Sequence, residues 1–224
     1  MSTYVFIELP SPLHEWVDAP DALFPARAEV AAELQNPDEP QPELLLLELE
    51  RYIDEFPDKQ PRFARAGSQL ALRTALEVFT NGMREEALPF YELALRLNPD
   101  DFLARFNYAI SLHSLSFRQP ALEQYYLLMA RTTPRENYRI WILAAQIHLY
   151  RDEFQQVVDL LEPLSRESLP EDEEYWDLLG DAKSRLNSAP PAVPPPAAAP
   201  VCAACGSALP AGMRFCGYCG AKVG

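Results

Sequence analysis

The strongest constraint on the fold of this chain is a pair of helical segments that recurs every 34 to 36 residues and closes each time at a proline. The closing residues are Pro99, Pro134 and Pro170. The small residues that open each second segment are Ala87, Ala121 and Val157. Within the segments, apolar residues return at three- or four-residue intervals, as on one face of an α-helix. Proline ends such a helix because it lacks an N–H donor and clashes with the preceding turn. The sequence therefore predicts two helices in each unit.

The period and residue pattern of these units resemble the tetratricopeptide repeat, in which aromatic, leucine and small residues of one helix precede Ala, aromatic, Ala and Pro in the next. The first unit matches at Ala75, Gly82, Ala87, Tyr91, Ala94 and Pro99; the second at Ala109, Ala121, Tyr125, Leu128 and Pro134; the third at Trp141, Ala144, Ala145, Val157, Leu161, Leu164 and Pro170. The segment Trp176–Gly180 (WDLLG) matches the opening motif of a further repeat, without a partner helix before Asn187.

This resemblance implies an all-α fold for residues 43–187, a right-handed array of about three repeats and a capping helix. The alternative is a helical bundle of another kind with accidental periodicity. The predicted helices are Glu43–Phe56, Pro61–Thr80, Arg84–Leu97, Asp101–Ser114, Gln119–Arg131, Arg135–Tyr150 and Phe154–Ser165. In a repeat array each unit exposes an apolar face until its neighbour covers it, so the units are expected to form one cooperative stack.

Residues 1–42 form a proline-rich N-terminal segment. Thr3–Leu9 is aromatic and β-branched enough to predict a short strand, and Ala22–Leu34 can hold a short helix. One strand is not stable alone, so it must dock on another element or stay mobile. Residues 188–201 read SAPPAVPPPAAAPV and predict a polyproline-type spacer between the array and the tail.

Two CxxCG motifs lie in the tail, residues 202–224. Their cysteines are Cys202, Cys205, Cys216 and Cys219. Four thiolates suit one tetrahedral Zn²⁺, and four protein ligands leave no open position, so the site is predicted to be structural. The tail resembles the short prokaryotic zinc ribbon, which has a Pro/Gly turn and an Arg-Phe-Cys segment such as Arg214–Cys216 here. A rubredoxin-type iron site and a redox dithiol are the alternatives; the dithiol requires a βαβ context that so short a tail cannot supply.

Composition and motifs argue against several functional classes. The chain has a net charge of −14, and an acidic body repels the phosphate backbone of nucleic acids. The three histidines do not stand at the spacing of a metal site or catalytic triad, and no phosphate-binding or nucleophile motif is present. We therefore predict no enzymatic activity and no small-molecule substrate. Without a signal peptide or an apolar run long enough to span a membrane, the chain is expected to be cytoplasmic.

Arrays of this family usually bind peptides or partner helices on the concave face, which the first helix of each unit lines. In this register the candidate residues are Leu72, Leu76, Phe79, Phe106, Ile110, His113, Arg139, Ile142, Gln146 and Tyr150. This face is largely apolar, which favours an apolar or amphipathic protein segment as ligand. Alternatively, these side chains are covered internally, for example by the proline-rich N-terminal segment or by Thr3–Leu9.

The sequence thus predicts a protein–protein interaction adaptor, whose array and zinc ribbon contact different partners. One alternative is a chaperone-like binder of secretion or assembly clients, similar to acidic three-repeat chaperones that lack a zinc tail. A second alternative is a regulator that contacts nucleic acid through the ribbon, although this tail carries only two basic residues, Arg214 and Lys222.

Overall fold

The computed structural model describes residues 3–19, 22–167 and 173–188. The strands are β1 (Tyr4–Glu8) and β2 (Leu23–Arg27). The helices are α1 (Ser11–His14), α2 (Ala31–Leu34), α3 (Pro42–Glu55), α4 (Ala64–Thr80), α5 (Leu88–Leu97), α6 (Phe102–Ser114), α7 (Arg118–Met129), α8 (Pro134–Asn137), α9 (Arg139–Tyr150), α10 (Phe154–Leu161) and α11 (Glu173–Ser188). Pro57–Phe63 and Glu162–Glu167 form 3-10 turns.

The helices pack as consecutive pairs, α4 with α5, α6 with α7, and α9 with α10. Each second helix also packs on the next unit, α5 on α6, α7 on α9 and α10 on α11. The predicted all-α repeat architecture, with a helix closing its C-terminal end, is therefore confirmed. None of the helices in the described ranges is both long and apolar enough to cross a bilayer.

The turns between paired helices repeat the same backbone geometry. In each, one residue adopts a positive φ, at 90° for Gly82, 65° for Ser116 and 58° for Asp152. The N–H of the following residue then donates to the carbonyl five positions back, as from Met83 to Val78 at 3.2 Å. This is the hydrogen bond that closes a helix with a left-handed residue after its end. The three positions lie 34 and 36 residues apart, so the sequence repeat is also a repeat of backbone conformation.

The core consists of three successive layers. The first joins the N-terminal segment to α3, α4 and α5; the second joins α6, α7 and α9; the third joins α9, α10 and α11. Tyr91, Tyr125 and Tyr175 are fully buried, one in each layer. Tyr108 packs against the first two layers and Trp141 against the last two. These shared aromatic side chains make the layers continuous, as expected for a repeat array.

The predicted short helix at Ala22–Leu34 is wrong over its first half. Leu23–Arg27 is a strand, antiparallel to Tyr4–Glu8, and only Ala31–Leu34 forms a helical turn. The strand is favoured because it supplies the partner that β1 needs and buries Phe24 and Ala26 against the first core layer. The hairpin lies on α3, so residues 3–34 share one core with the first repeat.

Three predicted helices begin later than expected. The helix predicted over Pro61–Thr80 starts at Ala64, because the residues up to Phe63 form a 3-10 turn. Arg84–Ala87 is a turn and α5 starts at Leu88, one residue before Pro89, which is well tolerated in a first helical turn. Pro134–Asn137 forms its own helical turn before α9. Its start is fixed by a capping box, in which the Glu136 carboxylate accepts from the N–H and hydroxyl of Thr133 at 3.1 and 3.0 Å.

Candidate functional site

The candidate site is the outward-facing side of α4, α6 and α9, which we call the first-helix face. The ten predicted residues of this face differ in their exposure to solvent. Arg139 and Tyr150 are exposed, and Tyr150 keeps 70% of its surface open to solvent. The half-buried residues are Leu76, Phe79, Phe106, Ile110, His113 and Gln146. Leu72 and Ile142 are buried in the core.

Ile142 does not belong to a binding surface, because only 1% of its surface is accessible. It packs in the third core layer with Tyr175 and Leu179 of α11. The capping helix therefore covers a position that an open repeat would expose. Leu72 is likewise enclosed, in the first core layer. The prediction for these two residues is corrected: both are covered internally, Ile142 by α11, which the sequence analysis did not consider as the cover.

Helix α6 carries the most continuous open apolar stretch of this face. Leu103 is exposed, while Phe106 and Ile110 follow at three- and four-residue spacing and are half-buried. The Phe106 ring stacks on Phe102 with centroids 6.4 Å apart, which fixes its position. Asn107 donates from its side-chain amide to the Leu103 carbonyl at 2.8 Å, so this polar group is satisfied within the helix. What α6 offers a ligand is consequently apolar contact.

Tyr150, Arg118 and His113 carry the polar chemistry near the turns that end α6 and α9. The Arg118 guanidinium lies 4.9 Å from the centre of the Tyr150 ring. Burial and the nearby Arg118 charge lower the pKa of His113, so this imidazole is neutral at pH 7. At this end of the face, Arg118 at the start of α7 therefore supplies a positive charge against an exposed aromatic ring.

A hydrogen bond joins the first-helix face to the capping helix where α9 packs on α11. The Gln146 side-chain amide donates to the Glu174 carboxylate of α11. Gln146 is thus engaged within the chain, whereas Arg139 at the start of α9 remains exposed. The capping helix limits the open part of the face to α4, α6 and the exposed residues of α9.

His148 lies in a hydrogen-bonded chain at the contact between α7 and α9. Its Nε2 is 2.6 Å from the Tyr126 hydroxyl, and its Nδ1 is 2.6 Å from a Glu153 carboxylate oxygen. Arg151 completes the chain, with its Nε 3.1 Å from the same carboxylate. These bonds link α7, α9 and the residue preceding α10, which is a structural role. In the described ranges no three His, Cys, Asp or Glu side chains cluster so as to hold a metal.

A second apolar groove, between α3 and α5, was not predicted from the sequence. It has a volume of about 410 Å³. Its lining residues are Glu43, Leu44, Leu46, Leu47, Glu50, Pro89, Phe90 and Leu93. The sequence feature that could have indicated this groove is the run Leu44–Leu47, which has more leucines than one helix face can bury. Leu47 is accordingly exposed. This groove lies between α3 and the second helix of the first unit, so it is not part of the first-helix face.

The cysteines predicted to bind zinc, Cys202, Cys205, Cys216 and Cys219, lie outside the described residues, as does the Pro/Ala segment before them. Their donor set is four thiols at the spacing of two CxxC pairs, which fits a Cys₄ zinc site chemically.

The tail and the array resemble different groups of known proteins. Residues 201–223 match the model of a zinc-ribbon domain, which confirms the resemblance of the tail to that family. No curated protein matches the chain significantly in sequence.

Two of the similar solved structures are forms of MamA. MamA 41-end from Desulfovibrio magneticus RS-1 is 16% identical, with a TM-score of 0.48 over 65% of this chain and 76% of that one. The MamA RS-1 ArsTM double mutant is also 16% identical, with a TM-score of 0.46 over 71% and 80%. The fold assignment rests on the helix pairing and turn geometry described above.

Proposed function

We propose that this chain is a non-enzymatic protein–protein interaction scaffold. The array binds an apolar or amphipathic protein segment on its first-helix face, and the zinc ribbon acts as a second contact module. The observation that carries this proposal is the row Leu103, Phe106 and Ile110 on α6, continued by the exposed Tyr150 on α9. Apolar side chains at these spacings suit the apolar stripe of a helix or an extended segment.

The charges of the body favour partners of one kind. Its acidic excess makes a neutral or basic segment more favourable than an acidic one. The first-helix face itself offers Arg139 and Tyr150, and Tyr150 lies against Arg118 at the start of the second helix α7, so single aromatic or acidic groups near the ends of an otherwise neutral or basic segment can bind there. The ligand is therefore expected to be apolar at its centre and to carry its charged residues toward its ends.

The tail is proposed to hold one structural Zn²⁺ through its four cysteines. A segment of about 23 residues buries too little surface to fold without a metal, so metal binding supplies the folding free energy. With zinc bound, the tail is a rigid contact module carried by the Pro/Ala spacer. This arrangement favours an adaptor over the chaperone-like alternative, since a client-binding array has no need of a second module. The site of action is proposed to be the cytoplasm, where thiols stay reduced and available to zinc.

Partner capture by charged variants of the array tests the proposal. Ile110→Glu and Tyr150→Glu place a charge in the first-helix face. Leu127→Glu is the matched control, because Leu127 of α7 is 47% exposed and lies on a second helix. We expect the two face variants to lose capture and the control to retain it, with all three keeping wild-type helicity by circular dichroism. Capture retained by both face variants would reject this face as the binding surface.

A further inference from the structure

The two edges of the N-terminal hairpin are chemically different. In an antiparallel ladder, alternate residues direct their N–H and C=O groups to the partner strand, and the residues between direct theirs outward. The Ala28 N–H donates to the Thr3 carbonyl at 3.0 Å, which sets the phase of the ladder. With Val5 opposite Ala26 and Ile7 opposite Phe24, the inward residues of β1 are Thr3, Val5 and Ile7. The outward residues are therefore Tyr4, Phe6 and Glu8.

The outer edge of β2 is blocked at two of its three outward residues, Pro25 and Arg27. Pro25 has no N–H to offer, and the N–H of Arg27 donates to the Glu48 carboxylate of α3 at 3.0 Å. Proline and buried capping groups are the devices by which proteins prevent an edge strand from pairing further. On this side, α3 of the array packs against the hairpin and bonds to its edge.

The outer edge of β1 is open. Within the described residues no hydrogen bond reaches the backbone groups of Tyr4, Phe6 or Glu8. The strand also carries exposed apolar side chains, since Val5 and Phe6 are 37% and 40% exposed. An unprotected strand edge with apolar side chains is a template for pairing with another strand.

We propose that β1 pairs with β1 of a second copy of this chain, antiparallel and centred on Phe6. This register joins the two hairpins into one four-stranded sheet in the order β2, β1, β1, β2. It places Phe6 opposite Phe6 of the second copy and Tyr4 opposite its Glu8. The outward backbone groups of the three residues then exchange six hydrogen bonds, two for each hydrogen-bonded pair.

Within Tyr4–Glu8, this register forms more hydrogen bonds than any other symmetric one. Its centre pairs aromatic with aromatic, and Val5 lies opposite Ile7 of the second copy, both favourable cross-strand combinations. Glu8 meets a tyrosine, so no like charges face each other. Within Tyr4–Glu8, centring on Val5 or Ile7 would pair only two outward residues of each strand and form about four hydrogen bonds, and centring on Glu8 would oppose two carboxylates and form fewer still.

The contact is small and each chain carries a net charge of −14, so the dimer is expected to be weak and salt-dependent. Repulsion between the two acidic bodies falls as added salt screens it. Association should therefore strengthen from low to moderate salt, opposite to the behaviour of a contact held by ion pairs.

Sedimentation velocity of the full chain, over a concentration series from about 10 µM to about 1 mM, tests this pairing. We expect a dimer at the higher concentrations. Glu8→Pro removes one outward donor per chain without touching an inward bond, and should raise the dissociation constant at least tenfold. Glu8→Ala removes the same side chain, keeps the N–H and should leave the dimer intact.

Phe6→Lys provides an independent variant that retains every backbone donor. It sets two like charges against each other at the centre of the contact and should also abolish the dimer. Circular dichroism checks that each variant keeps its helical content. A chain monomeric throughout the series, or a dimer indifferent to both Glu8→Pro and Phe6→Lys, would overturn the proposal. So would a dimer that forms only after residues 189–224 are removed, since the tail would then be the occupant of this edge.

Discussion

Arg27 of β2 and Glu48 of α3 form a bidentate ion pair, in which Nε and Nη2 of the arginine each donate to a carboxylate oxygen at 2.9 Å. The Glu48 carboxylate also accepts from the Arg27 N–H and from Arg51. Its side chain has no solvent exposure. This one carboxylate therefore joins the N-terminal hairpin to the helical array, and it has no access to water if its partners are removed.

Replacing Glu48 should destabilise the fold strongly. Glu48→Gln removes the buried negative charge that accepts hydrogen bonds from Arg27 and Arg51, so Arg27 keeps only the exposed Glu29 as a charged partner among the described residues. Because Arg27 is itself 28% exposed, the loss should be below that of a fully buried pair, about 2–3 kcal/mol of unfolding free energy. Glu29→Gln is the matched control, because Glu29 contacts the same arginine at 2.9 Å but is largely exposed. It should have little effect. Urea denaturation followed by circular dichroism measures both, and equal effects would contradict the role assigned to Glu48.

The same carboxylate predicts an acid-dependent loss of stability. Burial alone would raise the pKa of Glu48, but hydrogen bonds from Arg27 and Arg51 outweigh it and hold the pKa below the ordinary value of 4.5. A group whose pKa is lowered in the folded state stabilises the fold above its unfolded pKa, and that contribution is lost as pH falls through the folded value. Stability should therefore decline below about pH 4.5. The decline should be shallower in Glu48→Gln, and identical pH profiles would contradict this assignment.

Alanine substitutions at two glycines, one in the repeated turn and one inside α11, should have opposite effects on the stability of the fold. Gly82→Ala should destabilise the array by about 1 kcal/mol, because Gly82 holds a φ of 90° although its surroundings have room for a methyl group. Gly180→Ala should stabilise by about 1 kcal/mol, since Gly180 lies inside α11 with equally open space and no positive φ. Ser116→Gly should stabilise by relieving the same strain that Gly82 avoids. Thermal unfolding measures all three, and a Gly82→Ala protein as stable as wild type would show that the turn carries no such strain.

Metal analysis separates the tail from the array. The purified chain should contain one zinc per molecule, and Cys216→Ser should reduce the zinc content sharply because it removes one of four ligands. Chelation should leave the thermal unfolding of the helices unchanged, since no metal-binding cluster exists among the residues that the structure describes. A chain without stoichiometric zinc, or one containing iron and showing its charge-transfer colour, would contradict the zinc assignment.

Removing the tail separates the adaptor from the chaperone-like alternative. A chain ending at Ser188 keeps every described helix. An adaptor should lose the partner that its ribbon contacts and keep the one bound by the array, whereas a chaperone should keep its client unchanged. Affinity capture with the full chain and with the truncated chain, followed by mass spectrometry, makes the comparison. Identical partner sets would reject the second contact module.

The array was predictable from the sequence because its information is local and repeated. A proline ends each unit, a small residue opens each second helix, and a large buried side chain follows four positions later, as Tyr91, Tyr125 and Leu161 do. These features act within about 34 residues of each other, so the pattern shows in the chain itself. The positive φ of Ser116 and Asp152 was not evident, because neither residue type marks such a turn as glycine does at Gly82.

The hairpin and the limits of the binding face depend on long-range contacts. The sequence alone disfavours a strand at Leu23–Arg27, because this segment contains Pro25. The strand forms because β1 pairs with it and the Glu48 carboxylate accepts a hydrogen bond from the Arg27 N–H. Ile142 occupies a position that is open in an isolated repeat and is buried here because α11 packs over it. In both cases the deciding partner is about 20 to 40 residues away, beyond what helical periodicity can report.

The most direct test of the central claim is site-specific photo-cross-linking in cells. A photoreactive phenylalanine analogue replaces Ile110 or Tyr150 on the first-helix face, and Leu127 on the second-helix side as the control. We predict that both positions on the first-helix face cross-link to the same partner protein and that position 127 does not. Cross-linking to that partner from position 127, with none from 110 or 150, would contradict the account.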